Sequence, residues 1–247
     1  MLITGGGTAG HTNPGIAVAQ ALVTLGLPTG RIHFVGGARG NEGELVPAAG
    51  FTIDLLPGRG IQRRLSPSAI RANVGAVAGL LSGLAKAVAI VTTRRPAAVL
   101  CLGGYAAFAV SAAAVLRRVP LVVTEQNARA SAVNRLFGRV ATVNAIPFPD
   151  TDLPNGVVTG NPIRPAIANA VANGDAAAAR SAIIDRLGPD QASPPISAVG
   201  RTLVAVWAGS LGATRINTAV NQLAERWADP DVRHGLLRSG TAMAVPV

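Results

Sequence analysis

Short apolar runs alternate with longer stretches of helical periodicity along this chain. The alternation predicts an α/β protein with a parallel sheet. A first strand is expected at the extreme N-terminus, cut short at Met1, and a helix over Pro14–Leu25. Ile32–Gly36 reads as a strand, Glu42–Ala49 as a helix and Phe51–Leu55 as a strand. Ser68–Thr92 predicts one long helix, and a strand follows at Ala98–Leu102. Ala106–Leu116 reads as a helix, Leu121–Thr124 as a strand and Ala130–Phe137 as a helix. Val140–Asn144 and Val157-Val158 read as short extended pieces.

The segment Gly160-Asn161-Pro162-Ile163-Arg164-Pro165 carries two prolines that bar helix continuation, which marks a boundary. The expected division is 1–161 and 162–247. Beyond it, Ala176–Leu187 predicts a helix, Gly188–Gly200 is rich in proline and serine, and Thr202–Trp207 predicts a strand that opens a second α/β unit. About 35 residues follow Gly212, too few for the several strands and helices of a doubly wound domain. The expectation is a chain that carries only part of a second lobe.

Composition narrows the classes. Hydrophobic residues make up 49% of the 247 positions and charged residues 14%, a globular balance that excludes a disordered chain. Aromatics are only 3%, so the core has to be built from Ala, Val, Leu and Ile. The net charge of +10 points to an anionic partner. No zinc-finger spacing, aromatic-basic interleaving or RNA-binding signature is present, so nucleic acid is not the expected partner; phosphate-bearing small molecules and lipids are. The single cysteine, Cys101, lies in an apolar run and reads as a buried strand residue, which excludes a disulfide framework. The start Met1-Leu2-Ile3-Thr4 has neither a basic segment nor a cleavage pattern, so a cytoplasmic location is expected.

Candidate chemistry sits at the strand ends. Gly5-Gly6-Gly7-Thr8-Ala9-Gly10-His11 fits G-x-G-x-x-G between a strand and a helix. In that context glycines let the backbone approach a diphosphate, and the free N–H groups of the helix start point at negative charge. The following strand ends Phe34-Val35-Gly36-Gly37 without the carboxylate that a nicotinamide enzyme needs for its ribose, which counts against a dehydrogenase. Two further loops share the pattern: Leu102-Gly103-Gly104-Tyr105 and Ala208-Gly209-Ser210-Leu211-Gly212-Ala213. Each loop taken alone is either a phosphate cradle or a tight turn; three together favour phosphate-bearing ligands. His11 is either a packing residue or a proton-transfer group at the loop. Glu125-Gln126-Asn127 follows a parallel strand, where binding crevices form; Asn127 is alternatively a helix cap.

Together these residues resemble the MurG family of lipid-linked N-acetylglucosaminyltransferases (glycosyltransferase family 28). The resemblance runs through Gly5–His11, the acidic-Leu-Val-Pro stretch Asn41–Gly50, Gly103-Gly104-Tyr105, Glu125-Gln126-Asn127, Gly160–Arg164 and Gly209–Ala213, in that order. It implies a GT-B fold of two Rossmann-like lobes, the second incomplete here. The N-terminal lobe would hold the lipid acceptor and the C-terminal lobe UDP-N-acetylglucosamine. By position, the resemblance implies that His11 is catalytic. It places Gly7, Thr8, Gly10, Gly103, Gly104, Tyr105, Glu125 and Asn127 on the acceptor diphosphate. Thr8, Gly10, Asn127, Arg164 and Ser210 would contact the UDP-sugar. The implied reaction transfers N-acetylglucosamine to lipid I, the undecaprenyl-diphosphate-linked muramyl pentapeptide. It inverts configuration and needs no metal or other cofactor. Leu211 and Ala208 depart from the family's usual glutamine and glycine, and the later C-terminal motifs are missing, which weakens the donor side.

From Arg59 to Arg95 there are seven basic residues and no acidic one: Arg59, Arg63, Arg64, Arg71, Lys86, Arg94 and Arg95. The apolar stretch Ala72–Val91 between them reads as a transmembrane helix, a core helix, or a helix partly exposed at an anionic inner-membrane surface. The last is the expectation, in keeping with a peripheral location for the family. Two other functions stay open: a GT-B transferase acting on a different glycolipid, and a non-catalytic remnant that binds an anionic polyprenyl-diphosphate lipid.

Overall fold

The computed structural model describes residues 1–57, 67–178, 203–207, 214–226, 237–239 and 242–246, and divides into the units Met1–Ala168 and Asn169–Val247. In the first unit the strands are β1 (Leu2–Thr4), β2 (His33–Gly37), β3 (Thr52–Leu56), β4 (Val99–Cys101), β5 (Leu121–Thr124), β6 (Val143–Ile146) and β7 (Gly156–Val158). They form one sheet of seven strands in the order β3-β2-β1-β4-β5-β6-β7, parallel throughout. The α/β class expected from the sequence holds.

The helices are α1 (Ala9–Thr24), α2 (Glu42–Ala48), α3 (Pro67–Arg94), α4 (Tyr105–Leu116), α5 (Ala132–Phe137) and α6 (Pro165–Ala172). Parallel strands need crossovers, and right-handed crossovers send helices to opposite faces when the strand order reverses. One core cluster accordingly joins Ile16 and Ala19 of α1 and Val46 of α2 to Ile3, Phe34 and Leu100. The other joins Ala87 and Val91 of α3 and Val110 of α4 to Leu2, Val35, Val99 and Cys101. Neighbours such as Leu2 and Ile3 thus serve opposite faces, as the two-residue period of a strand requires. Cys101 is fully buried, as expected, and burial pushes its thiol pKa up.

Two elements differ from expectation. Helix α1 starts at Ala9, so Pro14 lies inside it and not at its start. The carbonyl that Pro14 leaves without an amide partner, four residues back, belongs to exposed Gly10, where solvent can reach it. Helix α6 was not expected; Pro165 opens it, a position where proline lacks nothing the helix needs. The C-terminal half of α3 buries one face through Ala87, Ile90 and Val91 and leaves Leu81, Ala85 and Lys86 exposed; Lys86 Nζ donates to the Leu55 carbonyl at 2.9 Å, and Arg94 pairs with Asp54. No helix of the described residues is long and apolar enough to cross a membrane. Arg59, Arg63 and Arg64 lie outside the described residues.

In the second unit, β8 (Leu203–Trp207) is followed by α7 (Thr214–Arg226), β9 (Leu237–Ser239) and β10 (Ala242–Pro246). The order is β8-β10-β9 with antiparallel pairing, not the parallel arrangement expected of a doubly wound lobe. Only Gly240 and Thr241 separate β9 from β10, and a link that short suits antiparallel neighbours; a parallel crossover needs a dozen residues or more. The expected helix at Ala176–Leu187 lies largely outside the described residues, as does the loop Gly209–Ala213.

Candidate functional site

The strand order reverses direction between β1 and β4, the kind of switch point where open parallel sheets form a crevice at the strands' carboxyl ends. The loop after β1 carries Gly5–Thr8, the loop after β4 carries Gly103 and Gly104, and the loop after β5 carries Glu125–Ser131. Because β1, β4 and β5 are adjacent, these three loops meet.

The first loop is shaped from behind. Glu42, the first residue of α2, is 1% exposed, and its Oε1 accepts the Gly7 N–H at 2.7 Å and the Gly37 N–H at 3.3 Å. Gly6 N–H donates to the Gly103 carbonyl at 3.3 Å. The amides of Gly6 and Gly7 therefore face inward and are occupied. This corrects the expectation that Gly7 grips a diphosphate: it supplies a turn, with φ at 93°, not a donor. Thr8 and Gly10 are exposed at the start of α1, whose first turn has no side-chain cap. Among the described residues nothing accepts the N–H groups of Thr8, Ala9 or Gly10. Those three amides lie unengaged at the start of a 16-residue helix, where the helix dipole favours negative charge.

The second loop is mostly structural. Gly103 is buried, with a φ of 91°, and a β-carbon there would stand 2.9 Å from Ser131 Oγ. It turns the chain and its carbonyl accepts the Gly6 N–H. Gly104 precedes α4 with φ at 89° and lies against the backbone of Gly6. Tyr105 hydroxyl donates to the Pro57 carbonyl at 3.2 Å, and its pKa is raised by burial.

The third loop is organised by Glu125. This residue is fully buried. Its Oε1 accepts from the backbone N–H groups of Gln126 and Asn127 and from Asn127 Nδ2, at 2.9 to 3.0 Å. Its Oε2 accepts from the Ser131 N–H at 2.9 Å and from Asn134 Nδ2 at 2.8 Å. Both oxygens are filled, so the expectation that Glu125 contacts an acceptor is corrected: it builds the loop that presents its neighbours. Asn127 is exposed beside it.

His11 joins the first loop to the third. Its Nδ1 lies 3.1 Å from Gln126 Oε1, while Gln126 Nε2 donates to the Thr124 carbonyl at 3.1 Å. That second bond fixes which end of the carboxamide faces the ring. An oxygen facing Nδ1 demands a proton there, and the neutral imidazole then keeps its lone pair on Nε2. A half-buried imidazole with an oriented, unprotonated Nε2 can accept a proton from a bound hydroxyl.

Arg164 is exposed and caps α6 through its carbonyl, which accepts from Ile167 and Ala168. Among the described residues its side chain joins none of the three loops. Ser210 lies outside the described residues. The sequence reading named Glu42 and Gln126 only within motifs, without a role of their own, and passed over Ser131 and Asn134. Ser131 followed three residues later by Asn134 is a helix-start signal, and Ser131 Oγ does accept the Asn134 N–H at 3.2 Å. For Glu42 and Gln126 no local signal existed; their partners are 35 and 115 residues away.

The chain is similar to known proteins over most of its length. A model of the glycosyltransferase family 28 N-terminal domain matches residues 1–146. A Nocardioides protein is 37% identical over 230 residues, covering 91% of this chain and 57% of that protein. A Streptomyces coelicolor protein is 36% identical over 225 residues, with the same 91% and 57% coverage. Both are named UDP-N-acetylglucosamine–N-acetylmuramyl-(pentapeptide) pyrophosphoryl-undecaprenol N-acetylglucosamine transferase. This chain therefore spans little more than half the length of those relatives. Among solved structures, Acinetobacter baumannii MurG matches with a TM-score of 0.53 and 28% identity, over 66% of this chain and 46% of that one.

Proposed function

This chain belongs to glycosyltransferase family 28, and from that premise we propose that it provides the acceptor lobe of an enzyme that moves N-acetylglucosamine from UDP-N-acetylglucosamine to lipid I, giving lipid II. The observation that carries the reading is the oriented His11 imidazole beside the unengaged amides of Thr8, Ala9 and Gly10.

In this reading the acceptor diphosphate lies on the α1 amides, with Asn127 and Tyr105 lining its path. His11 Nε2 takes the proton from the muramyl 4-hydroxyl as that oxygen attacks the anomeric carbon of the donor sugar. The bond from that carbon to UDP breaks, UDP leaves with the electron pair, and configuration inverts. No metal is assigned a part. Arg164 and Ser210 are proposed on the donor side, where they would offset the charge of the departing diphosphate. The division near residue 161 is proposed as the border between acceptor and donor lobes. The basic residues from Arg59 to Arg95 are proposed to hold the protein at the anionic inner face of the plasma membrane, where the acceptor lipid resides.

Transfer of labelled N-acetylglucosamine to lipid I, followed for the parent and His11→Ala, tests this. Lipid II should form with the parent, and the variant should lose about 10²–10⁴-fold in rate. Calorimetry with farnesyl diphosphate tests the acceptor half separately. A parent that neither makes lipid II nor binds the diphosphate refutes the proposal.

A further inference from the structure

We propose that Glu42 is a positioning residue: its carboxylate, acting on Gly7, sets the conformation in which the first glycine loop offers Thr8, Gly10 and His11 to a ligand. For its consequence in catalysis this rests on the acceptor-lobe reading; for the loop itself it stands on geometry.

Glu42 is 1% exposed, and one of its oxygens, Oε2, has no partner among the described residues. A buried carboxylate with a free oxygen is costly to keep, so its placement calls for a reason beyond packing. Its other oxygen bridges two loops, 2.7 Å from the Gly7 nitrogen and 3.3 Å from the Gly37 nitrogen. Around it stand three glycines. A β-carbon at Gly6 or Gly40 would run into the carboxylate, and one at Gly36 would come within 2.9 Å of the Glu42 β-carbon. Glu42 lines a small void together with Gly5, His11, Gly15 and Leu102.

The link to function is short. Gly7 takes a φ of 93°, two residues before the first residue of α1, and its own β-carbon position is open space. The Glu42 bond therefore, and not crowding, selects that turn. The turn decides where α1 begins, hence where its free amides point and how His11 reaches Gln126. It also removes the Gly7 amide from the ligand-facing side, so the anion contacts start at Thr8.

The test compares the parent with Glu42→Gln, Glu42→Ala and Gly7→Ala by residue-resolved amide exchange and by calorimetry with farnesyl diphosphate. Glu42→Gln keeps an acceptor for the Gly7 N–H and should hold exchange at Gly7 and diphosphate affinity within about threefold of the parent. Glu42→Ala should speed exchange at Gly7 about tenfold or more and weaken diphosphate binding about tenfold. Gly7→Ala meets no atom within 4 Å but resists the turn, so it should speed exchange at Thr8 and Gly10 and weaken binding likewise with Glu42 intact. Should Glu42→Ala fail to fold, Gly7→Ala decides the matter alone. Fast exchange at Gly7 in the parent overturns the proposal. So does a Glu42→Ala or Gly7→Ala variant that matches the parent, or a Glu42→Gln variant as impaired as Glu42→Ala. If the parent neither binds farnesyl diphosphate nor makes lipid II, the acceptor-lobe reading fails, while the exchange comparison still decides the role of Glu42.

Discussion

Gly104 stands against the backbone of Gly6, so close that a β-carbon at 104 would run into the Gly6 carbonyl. The contact arises because β1 and β4 are parallel neighbours and their following loops leave the sheet at the same end. Each loop is thereby one wall of the other.

Gly104→Ala is expected to fail on two counts, since it also places a side chain at a φ of 89°. Left-handed strain and overpacking together should cost about 3 kcal/mol. Urea unfolding monitored by circular dichroism measures this; a loss below about 1 kcal/mol would show that the two loops separate freely.

Glu125 and Asn127 should respond differently to alanine. Removing the Glu125 carboxylate leaves five donors without their acceptor and should cost about 3 kcal/mol. Asn127→Ala, at an exposed side chain with one bond to Glu125, should cost under about 1 kcal/mol and act through ligand affinity instead. Equal stability losses in the two variants would refute the division into scaffold and contact.

His33 gives stability a pH dependence. Its Nδ1 meets Thr52 Oγ1 and its Nε2 meets Asp54 Oδ2, each at 2.8 Å. Burial holds its pKa below the ordinary value; the hydrogen bond its Nε2 donates to Asp54 opposes this and the Arg94 charge adds to it. The unfolded chain then binds a proton more readily than the folded one. The contribution is complete above roughly pH 6.5, the ordinary histidine value, and is lost as pH falls from there toward the folded pKa. Asp54 is also lowered: burial works against this, and the His33 bond with the charges of His33 and Arg94 outweighs it. Its contribution is present above about pH 3.9 and lost below, outside the His33 window. Denaturation midpoints between about pH 7.5 and 5 should fall less steeply for His33→Gln than for the parent; parallel curves would exclude the assignment.

Arg118 offers a stabilising substitution. It follows α4 with a φ of 54°, and the Val119 N–H closes onto the Ala114 carbonyl at 2.9 Å. Helices α1 and α2 fill the equivalent position with Gly26 and Gly50. Arg118→Gly should gain about 0.5–1 kcal/mol in urea unfolding.

The sequence exposed the fold where local pattern and tertiary demand agree. Leu121–Thr124 matches β5 residue for residue because both faces of that strand are covered and its residues are apolar or β-branched. Helix α6 escaped because its apolar residues Ile167 and Val171 are exposed and the prolines before it read only as a stop. In the site, glycine spacing revealed where the loops lie but not which way their amides face. Gly7 and Gly10 look alike in the G-x-G-x-x-G pattern, yet a carboxylate 35 residues downstream turns one inward. His11 was legible as a candidate; Gln126, which orients its ring, was not, since that pairing exists only once β1, β4 and β5 are side by side.

The strand order has a consequence for biosynthesis. Leu2–Thr4 needs both His33–Val35 and Val99–Cys101 beside it. A nascent chain can pair the first of these early, but the middle of the sheet stays open until residue 101 has left the ribosome. Until then a three-residue strand presents an unsatisfied edge. Contacts of such long range form slowly, so this chain is expected to engage holding chaperones during translation more than a protein whose central strands pair only with their sequence neighbours.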